Sequence, residues 1–312
     1  MMENIRCRLC GAQSYQVHLV REDLSLSLPG SFRLVRCDEC GLVYLNPSPA
    51  ESELNALYAG EYDQYTVAVE DEPSGLTRLA RRYGLRKRIR AITAHRAAGR
   101  LLDVGCATGD FIAQMRDDAG WEVYGLEIDP AAAQYARERL GLQVREGTLA
   151  ASGFPDAYFD AVTMWNVLEH LYDPMAALRE VARILKPAGL LSVTTPLLDT
   201  VGARMFGRYW IGYELPRHLS VFTAATLARL LREAGFTVIE RRCLYGGYAA
   251  AASSVRFWLR AQRGLPDRIR RALERLLFSP VLRIGLAPLF YVAGSWAGMC
   301  SIPTITAEKN AR

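Results

Sequence analysis

The segment Leu101-Leu102-Asp103-Val104-Gly105-Cys106-Ala107-Thr108-Gly109-Asp110 reads as a buried strand, a tight glycine turn and the start of a helix. Few features constrain a chain more. A strand that turns on glycine into a helix brings backbone amides and a helix N-terminus to one point beyond its carboxyl end, where an anionic or polar ligand is held. The spacing, Gly105-x-x-x-Gly109, is not the G-x-G-x-x-G of dinucleotide-binding dehydrogenases, which argues against hydride transfer. Glu127 closes a second strand pattern 22 residues after Gly105, where a carboxylate can accept both hydroxyls of a ribose. The pair predicts an adenosyl ligand.

The pattern around this turn predicts an α/β fold with a doubly wound, Rossmann-like sheet. Strands are expected at 101–104, 122–126, 142–144, 161–164 and 190–194, and helices at 110–119, 130–140, 174–185 and 224–234. Pro130 and Pro174 suit first helical positions, and Gly189 and Gly235 suit left-handed caps. Four regions follow: a cysteine-bearing module (1–47), a connector (48–75), the α/β domain (76–245) and a tail (246–312). The tail combines a basic helix, an apolar helical segment and a closing strand within 301–307. In the connector, Leu54, Leu57, Tyr58, Tyr62 and Tyr65 offer apolar material to pack on a neighbour.

Cys7-x-x-Cys10-Gly11 and Cys37-x-x-Cys40-Gly41 are two knuckles of the kind that complete a four-thiolate set. They predict a zinc-ribbon module with a closed, structural zinc, because four thiolates leave no open position for catalysis. Residues 1–11 hold no apolar run of the secretory kind, so a metal site in a reducing cytosol is expected in preference to a disulfide framework.

Asp103 through Gly109 resembles motif I of class I S-adenosylmethionine-dependent methyltransferases, and Gly125-Leu126-Glu127-Ile128-Asp129 resembles their acidic motif. Phe159-Asp160-Ala161-Val162, Val167-Leu168-Glu169-His170-Leu171-Tyr172-Asp173-Pro174 and Leu185-Lys186-Pro187-Ala188-Gly189 are similar to the rest of that core, over residues 100–240. The resemblance implies S-adenosyl-L-methionine as cofactor and an antiparallel final strand. It implies that Asp103 orients the turn, that Gly105, Cys106, Ala107 and Gly109 cradle the methionine moiety, and that Glu127 holds the ribose with Ile128 beside it. Ala107 stands where many members have glycine, and Thr148 where many have aspartate, so the adenine is expected to rely on backbone groups of Thr148 and Leu149. Trp165 and Asn166 are expected at the cleft, with a purely core role as the alternative for Trp165. The front of the chain, through Cys37-Asp38-Glu39-Cys40-Gly41-Leu42-Val43-Tyr44-Leu45-Asn46-Pro47 and the connector's Leu54, Leu57, Tyr58 and Tyr62, looks like the zinc-binding leader of bacterial methyltransferases for sugars, glycans and secondary metabolites.

Methyl transfer to oxygen or carbon gains from a general base. Of four histidines, His18 and His95 lie in the leader and a basic segment. His170 follows the fourth strand, at the edge where open α/β sheets bind ligands, and packing is its alternative role. His218 sits in Tyr209-Trp210-Ile211-Gly212-Tyr213-Glu214-Leu215-Pro216-Arg217-His218, a loop expected to cover the site, with Tyr213, Glu214 and Arg217 as candidate acceptor contacts. Glu169 beside His170 is set aside as a metal pair, because adjacent side chains rarely face one ion, and no catalytic metal is expected.

The net charge of +5 conceals an uneven distribution. Residues 76–100 carry nine basic side chains and no acid, and residues 255–283 carry eight arginines against Asp267 and Glu274, leaving the remainder at −10. The first segment suits a connecting helix with a solvated basic side, or else an anion-binding face. Residues 284–302 hold no charge, yet Pro288, three glycines and a following strand argue against a membrane span. Peripheral membrane contact, a lid or a homodimer contact through 255–300 remain open for it.

The expectation is therefore a cytoplasmic methyltransferase, with membrane association left open, acting on a small-molecule or glycan-precursor acceptor. An RNA methyltransferase and a non-catalytic zinc-ribbon adaptor are the alternatives. The leader lacks the aromatic–basic interleaving that stacks on bases, and intact Gly105, Gly109 and Glu127 oppose a degenerate domain.

Overall fold

A computed structural model describes residues 2–26, 28–50, 67–72, 74–244, 247–262, 264–296 and 300–311. The connector's Leu54, Leu57, Tyr58, Tyr62 and Tyr65 lie outside the described residues. The leader comprises β1 (Met2–Glu3), β2 (Tyr15–Glu22), β3 (Ser31–Cys37), β4 (Val43–Leu45) and β5 (Ser48–Pro49). A basic helix α1 (Gly75–Thr93), capped by the Ser74 hydroxyl, leads into the α/β region.

That region runs β6 (Arg100–Val104), α2 (Asp110–Ala119), β7 (Glu122–Glu127), α3 (Pro130–Leu140), β8 (Gln143–Glu146), β9 (Phe159–Trp165), α4 (Pro174–Ile184) and β10 (Leu185–Thr194). It continues with α5 (Val201–Phe206), β11 (Ser220–Val221), α6 (Ala224–Glu233) and β12 (Phe236–Arg242). The chain ends through α7 (Tyr248–Ala261), α8 (Asp267–Leu277), α9 (Pro280–Trp296) and β13 (Thr304–Lys309). Seven strands form one mixed sheet in the order β12-β13-β10-β9-β6-β7-β8. β6 through β10 are parallel, and β13 runs antiparallel between β10 and β12. This is the Rossmann-like α/β sheet with its antiparallel final strand.

Local chemistry explains the helix starts. Asp129 and Asp173 accept hydrogen bonds from amides of the first turns of α3 and α4, and Pro130 and Pro174 occupy N1 with no donor to lose. Gly235 is left-handed (φ 91°), as expected after α6. Gly189 is not. The left-handed residue there is Ala188 (φ 57°), and a Cβ on Gly189 would stand 2.8 Å from the Lys186 carbonyl. Close backbone approach, not handedness, asks for that glycine. The strand at 236–242 is not among those the sequence predicts, and its burial does not alternate; only Phe236 is buried.

The leader does not stand apart. Its sheet has the order β11-β4-β3-β2, so a strand from after residue 219 completes it, with Ser220 opposite Tyr44 and Val221 opposite Val43. Cys7, Val35, Cys37, Leu42 and Tyr44 share one buried cluster with Leu102, Val104, Met164 and Leu191 of the large sheet. Burying these apolar groups together, at roughly 25 cal/mol per Å² of apolar area, joins leader and sheet into one body.

Of the three cysteines outside the knuckles, Cys106 is free and buried, while Cys243 and Cys300 form a disulfide. This bond runs against the expectation of a metal site in preference to disulfides; 57 residues separate the pair, and the docking of β13 beside β12 brings them together.

Candidate active site

The glycine turn lies between β6 and α2, and two ties fix it. The Gly105 and Cys106 amides donate to the Leu126 carbonyl at 2.7 and 3.2 Å. The Glu127 carboxylate accepts from Ala107 N at 2.7 Å through Oε2 and from the Ile128 and Asp129 amides at 2.8 and 2.9 Å through Oε1. One carboxylate thus spans the ends of both strands. Gly105 is left-handed (φ 72°), and a Cβ there would stand 2.7 Å from Val167 Cγ2. Ala107 is also left-handed (φ 49°), a conformation that costs a non-glycine residue about 1–2 kcal/mol.

Asp103 is buried and accepts from Thr163 Oγ1 at 2.6 Å. Burial pushes its carboxyl up to about 7, against the opposing pull of that hydrogen bond and the Arg88 charge. Ile128 is half exposed and Thr148 exposed at the mouth beyond β7 and β8, while Leu149 is buried in the core. The Gly147 amide, beside Thr148, donates to the Glu127 carbonyl at 2.8 Å.

Trp165 is buried edge-on to Phe111, with ring centroids 5.2 Å apart, and the Arg88 guanidinium stands 4.9 Å over its ring. That is the core role held as its alternative. Asn166 is left-handed (φ 56°), and its buried Oδ1 has no hydrogen-bond partner. A strained residue carrying an orphan acceptor, next to amides gathered on a glycine turn, is what a polar ligand would satisfy. The residues at this edge therefore fit an adenosyl and amino-acid group.

Across the edge of the sheet lies a second cluster. A short 3₁₀ turn, Leu168–His170, follows β9, and the loop 207–219 folds over it. His218 is buried, with Nδ1 2.9 Å from the Gly212 carbonyl, and His170 Nδ1 is 3.1 Å from the Arg217 carbonyl. The two rings meet edge to face, centroids 4.7 Å apart. Glu214 Oε2 is 3.6 Å from His218 Nε2. Glu169 is buried, and neither of its oxygens meets a well-aligned donor. Contrary to the expectation for adjacent side chains, Glu169, His170 and His218 converge, with potential ligand atoms within 4.8 Å of one another.

Burial sets the charges here. Desolvation pushes the Glu169 carboxyl up to about 8 and holds both imidazoles down, His170 well below its ordinary value. At neutral pH the cluster therefore presents two neutral rings beside a carboxyl that favours its proton. A neutral imidazole nitrogen is the form that can accept a proton, although burial weakens it as a base.

Two candidate acceptor contacts turn inward instead. Arg217 is fully buried, with Nη2 3.1 Å from Asp23 Oδ1 and Nε 3.4 Å from Glu214 Oε1. Tyr213 is buried, its hydroxyl 2.8 Å from His18 Nε2. Both brace the loop against the leader, and Glu214 keeps partial access. His95 is engaged with Glu240 on the surface at 3.0 Å. The sequence does not announce Asp23, nor the site roles of Thr163 and Val167. Asp23 lies 194 positions from Arg217, and nothing local in the sequence announces the pairing.

The four leader cysteines form one cluster, with Cys7 Sγ 3.5 Å from Cys40 Sγ and Cys10 Sγ 3.5 Å from Cys37 Sγ. Tetrahedral zinc with Zn–S near 2.3 Å demands sulfurs about 3.8 Å apart. Amides of Leu9 and Cys10 address the Cys7 sulfur, and those of Glu39 and Cys40 the Cys37 sulfur. The donor set fits a closed zinc site.

A family described as "Methyltransferase domain" matches residues 76–241. A relative from Mycolicibacterium smegmatis, whose name gives it as an S-adenosylmethionine-dependent methyltransferase, is 34% identical over 168 residues, 52% of this chain and 62% of its own length. An O-methyltransferase of Aspergillus sclerotiorum is 25% identical over 214 residues, 62% of this chain and 78% of its own. The chain thus spans less than two thirds of the first relative. Geranyl diphosphate C-methyltransferase from Streptomyces coelicolor superposes with a TM-score of 0.52 at 13% identity, covering 84% of this chain and 98% of that one. That last likeness is one of fold.

Proposed function

The chain belongs to the S-adenosylmethionine-dependent methyltransferases, and on that premise we propose that it methylates an oxygen of a small-molecule or glycan-precursor acceptor. The cofactor supplies an electrophilic methyl on a sulfonium. Much of the remaining work is positioning, since an in-line displacement gains chiefly from holding the nucleophile against the methyl.

In this reading Gly105, Cys106, Ala107 and Gly109 receive the methionine moiety, with Asp103 fixing the turn from beneath through Thr163. Glu127 would hold a ribose hydroxyl with the one lone pair that its three amide bonds leave free, and Ile128, Thr148 and Leu149 would flank the adenine. Asn166 Oδ1, unpartnered and buried, meets a donor of the ligand. On the acceptor side His218, backed by His170 and Glu169, would take up the proton of the acceptor hydroxyl. Glu214 contacts the acceptor, whereas Tyr213 and Arg217 position the loop. Cys7, Cys10, Cys37 and Cys40 hold a structural zinc that keeps the leader, and through it this loop, in place.

The O-methyltransferase name of the Aspergillus sclerotiorum relative supports oxygen as the nucleophile. A phosphate-gripping role for α1 loses ground: its Arg81, Arg82 and Arg86 are paired with acids of the same chain, as is Arg96 just beyond the helix.

The observation that carries the reading is the Glu127 carboxylate tied to the glycine turn. Calorimetric titration with S-adenosylmethionine tests it. Binding is expected, and Glu127→Ala should weaken it about tenfold or more, as a charge-assisted hydrogen bond of ~1.5 kcal/mol to the ribose is lost and the three amides it ties are released. No heat with the wild-type protein would end the proposal.

A further inference from the structure

The geometry of the carboxyl-terminal helices points to an anionic lipid surface: we propose that α8 and α9 dock there. This goes beyond the methyl-transfer reading and does not depend on it. None of the eleven residues of α8 is buried. Ile269, Leu273 and Leu276 share one face at helical spacing and are 43%, 37% and 56% exposed. The next helix adds three exposed apolar side chains, Val281, Ile284 and Leu289, at 83%, 53% and 65%. A soluble surface rarely spends six large apolar side chains on water across two adjacent helices.

The charges select the occupant. Arg268, Arg271 and Arg275 recur at i, i+3 and i+7 on α8, flanking the apolar face, and Arg283 follows on α9; all four are exposed. The segment's two acids are consumed, Asp267 by Arg270 of the same helix and Glu274 by Arg260 of α7 at 3.2 Å. The stripe therefore has no acid of its own segment left to pair with. A second copy packed face to face would set arginine stripe against arginine stripe. A layer of anionic headgroups over hydrocarbon satisfies both stripes at once, with apolar side chains inserted and guanidinium groups at the phosphates.

The helices would lie on the bilayer and not cross it. At about 1.5 Å per residue the 17 residues of α9 reach about 25 Å, short of a ~30 Å hydrocarbon core, and Pro288 interrupts the run. Among the described residues no helix is long and apolar enough to cross a membrane.

The docking face is mechanically joined to the acceptor side. Tyr248 of α7 donates to the Leu277 carbonyl and stacks edge-on with Phe290. On the same helix Ser254 Oγ accepts from Ile211 N at 3.0 Å, and Arg260 donates to the Ser25 carbonyl at 2.6 Å. One helix thus ties the lipid face to both the covering loop and the leader.

Co-sedimentation of the full chain with vesicles tests the proposal. Vesicles of phosphatidylglycerol mixed with phosphatidylcholine should carry the protein down, pure phosphatidylcholine should not, and added salt should release it. Replacing Arg268, Arg271 and Arg275 with Gln should weaken partitioning about fivefold per arginine. Leu276→Glu with Val281→Glu should abolish it at an unchanged circular dichroism spectrum. No partitioning onto phosphatidylglycerol vesicles at low salt would overturn the proposal. So would a double Glu variant that binds as well as wild type, or light scattering that shows the wild type alone dimerising through this face and the variant monomeric.

Discussion

The two halves of the candidate site are built in opposite ways. The cofactor half is local. Its Glu127 is 20 residues from Ala107 and adjacent to Ile128, and the bonds that shape it are backbone amides meeting one carboxylate. The acceptor half is assembled from afar. The loop carrying His218 is held by His18, Arg21 and Asp23, nearly 200 positions earlier, and by a strand pairing with the leader. A local site is robust to changes elsewhere, whereas a site closed by a second module depends on that module's integrity. The two halves should therefore fail separately.

The largest separation is expected from His218→Ala. Removing a general base costs roughly 10²–10⁴ in turnover. The cofactor turn shares no hydrogen bond with His218, so affinity for S-adenosylmethionine should stay within a factor of two or so. This is the mirror image of Glu127→Ala, which acts on affinity. Steady-state kinetics beside calorimetry reads both, and a His218 variant with full turnover would remove proton transfer from the acceptor half.

A smaller effect, of the same sign, should follow loss of the proposed zinc from the leader. Chelation, or Cys37→Ser, leaves buried thiols without the ion that neutralises them, and the leader's sheet loosens. His218 follows β4 through β11, and Arg217 through Asp23, so turnover should fall more steeply than cofactor affinity. Metal content by mass spectrometry, followed by the same two assays, checks the order. Equal losses in both would show that the leader supports the whole fold and not the acceptor wall alone.

The same contrast explains what could be read from the chain. The glycine turn, Glu127 and the proline-led helices are legible because their causes lie within a few residues: backbone handedness, capping and strand period. The cysteine knuckles are legible because four thiols that meet at one point come in closely spaced pairs. Arg217 shows the limit. An arginine in a Pro- and Gly-containing loop reads as an acceptor contact, and only the approach of Asp23 turns it into a buried brace. Glu169 erred the other way. Adjacent residues on a regular strand or helix point apart, but a single 3₁₀ turn lets Glu169 and His170 bend toward the same His218. Trp165 remains ambiguous in any sequence, because a tryptophan at a strand end serves core and cleft with the same chemistry.

The smallest effect is a pH signature confined to the acceptor half. Both imidazoles have folded values depressed below 6.5, chiefly by burial. The unfolded chain therefore binds more protons just below that value. The stability these rings contribute is present above about pH 6.5 and is lost as pH falls through it toward the folded values. Glu169 has the opposite sign, since burial lifts its carboxyl to about 8 from an unfolded value near 4.3. Its contribution is present below about pH 4.3 and is lost as pH rises toward 8. Glu169→Gln keeps the shape and abolishes the ionisation, so the variant should gain on the wild type steadily from pH 5 to pH 8, by a few degrees in Tm. A difference in Tm that stays flat across that range would mean that Glu169 ionises as readily folded as unfolded. In that case the proton in the cluster would reside on a histidine.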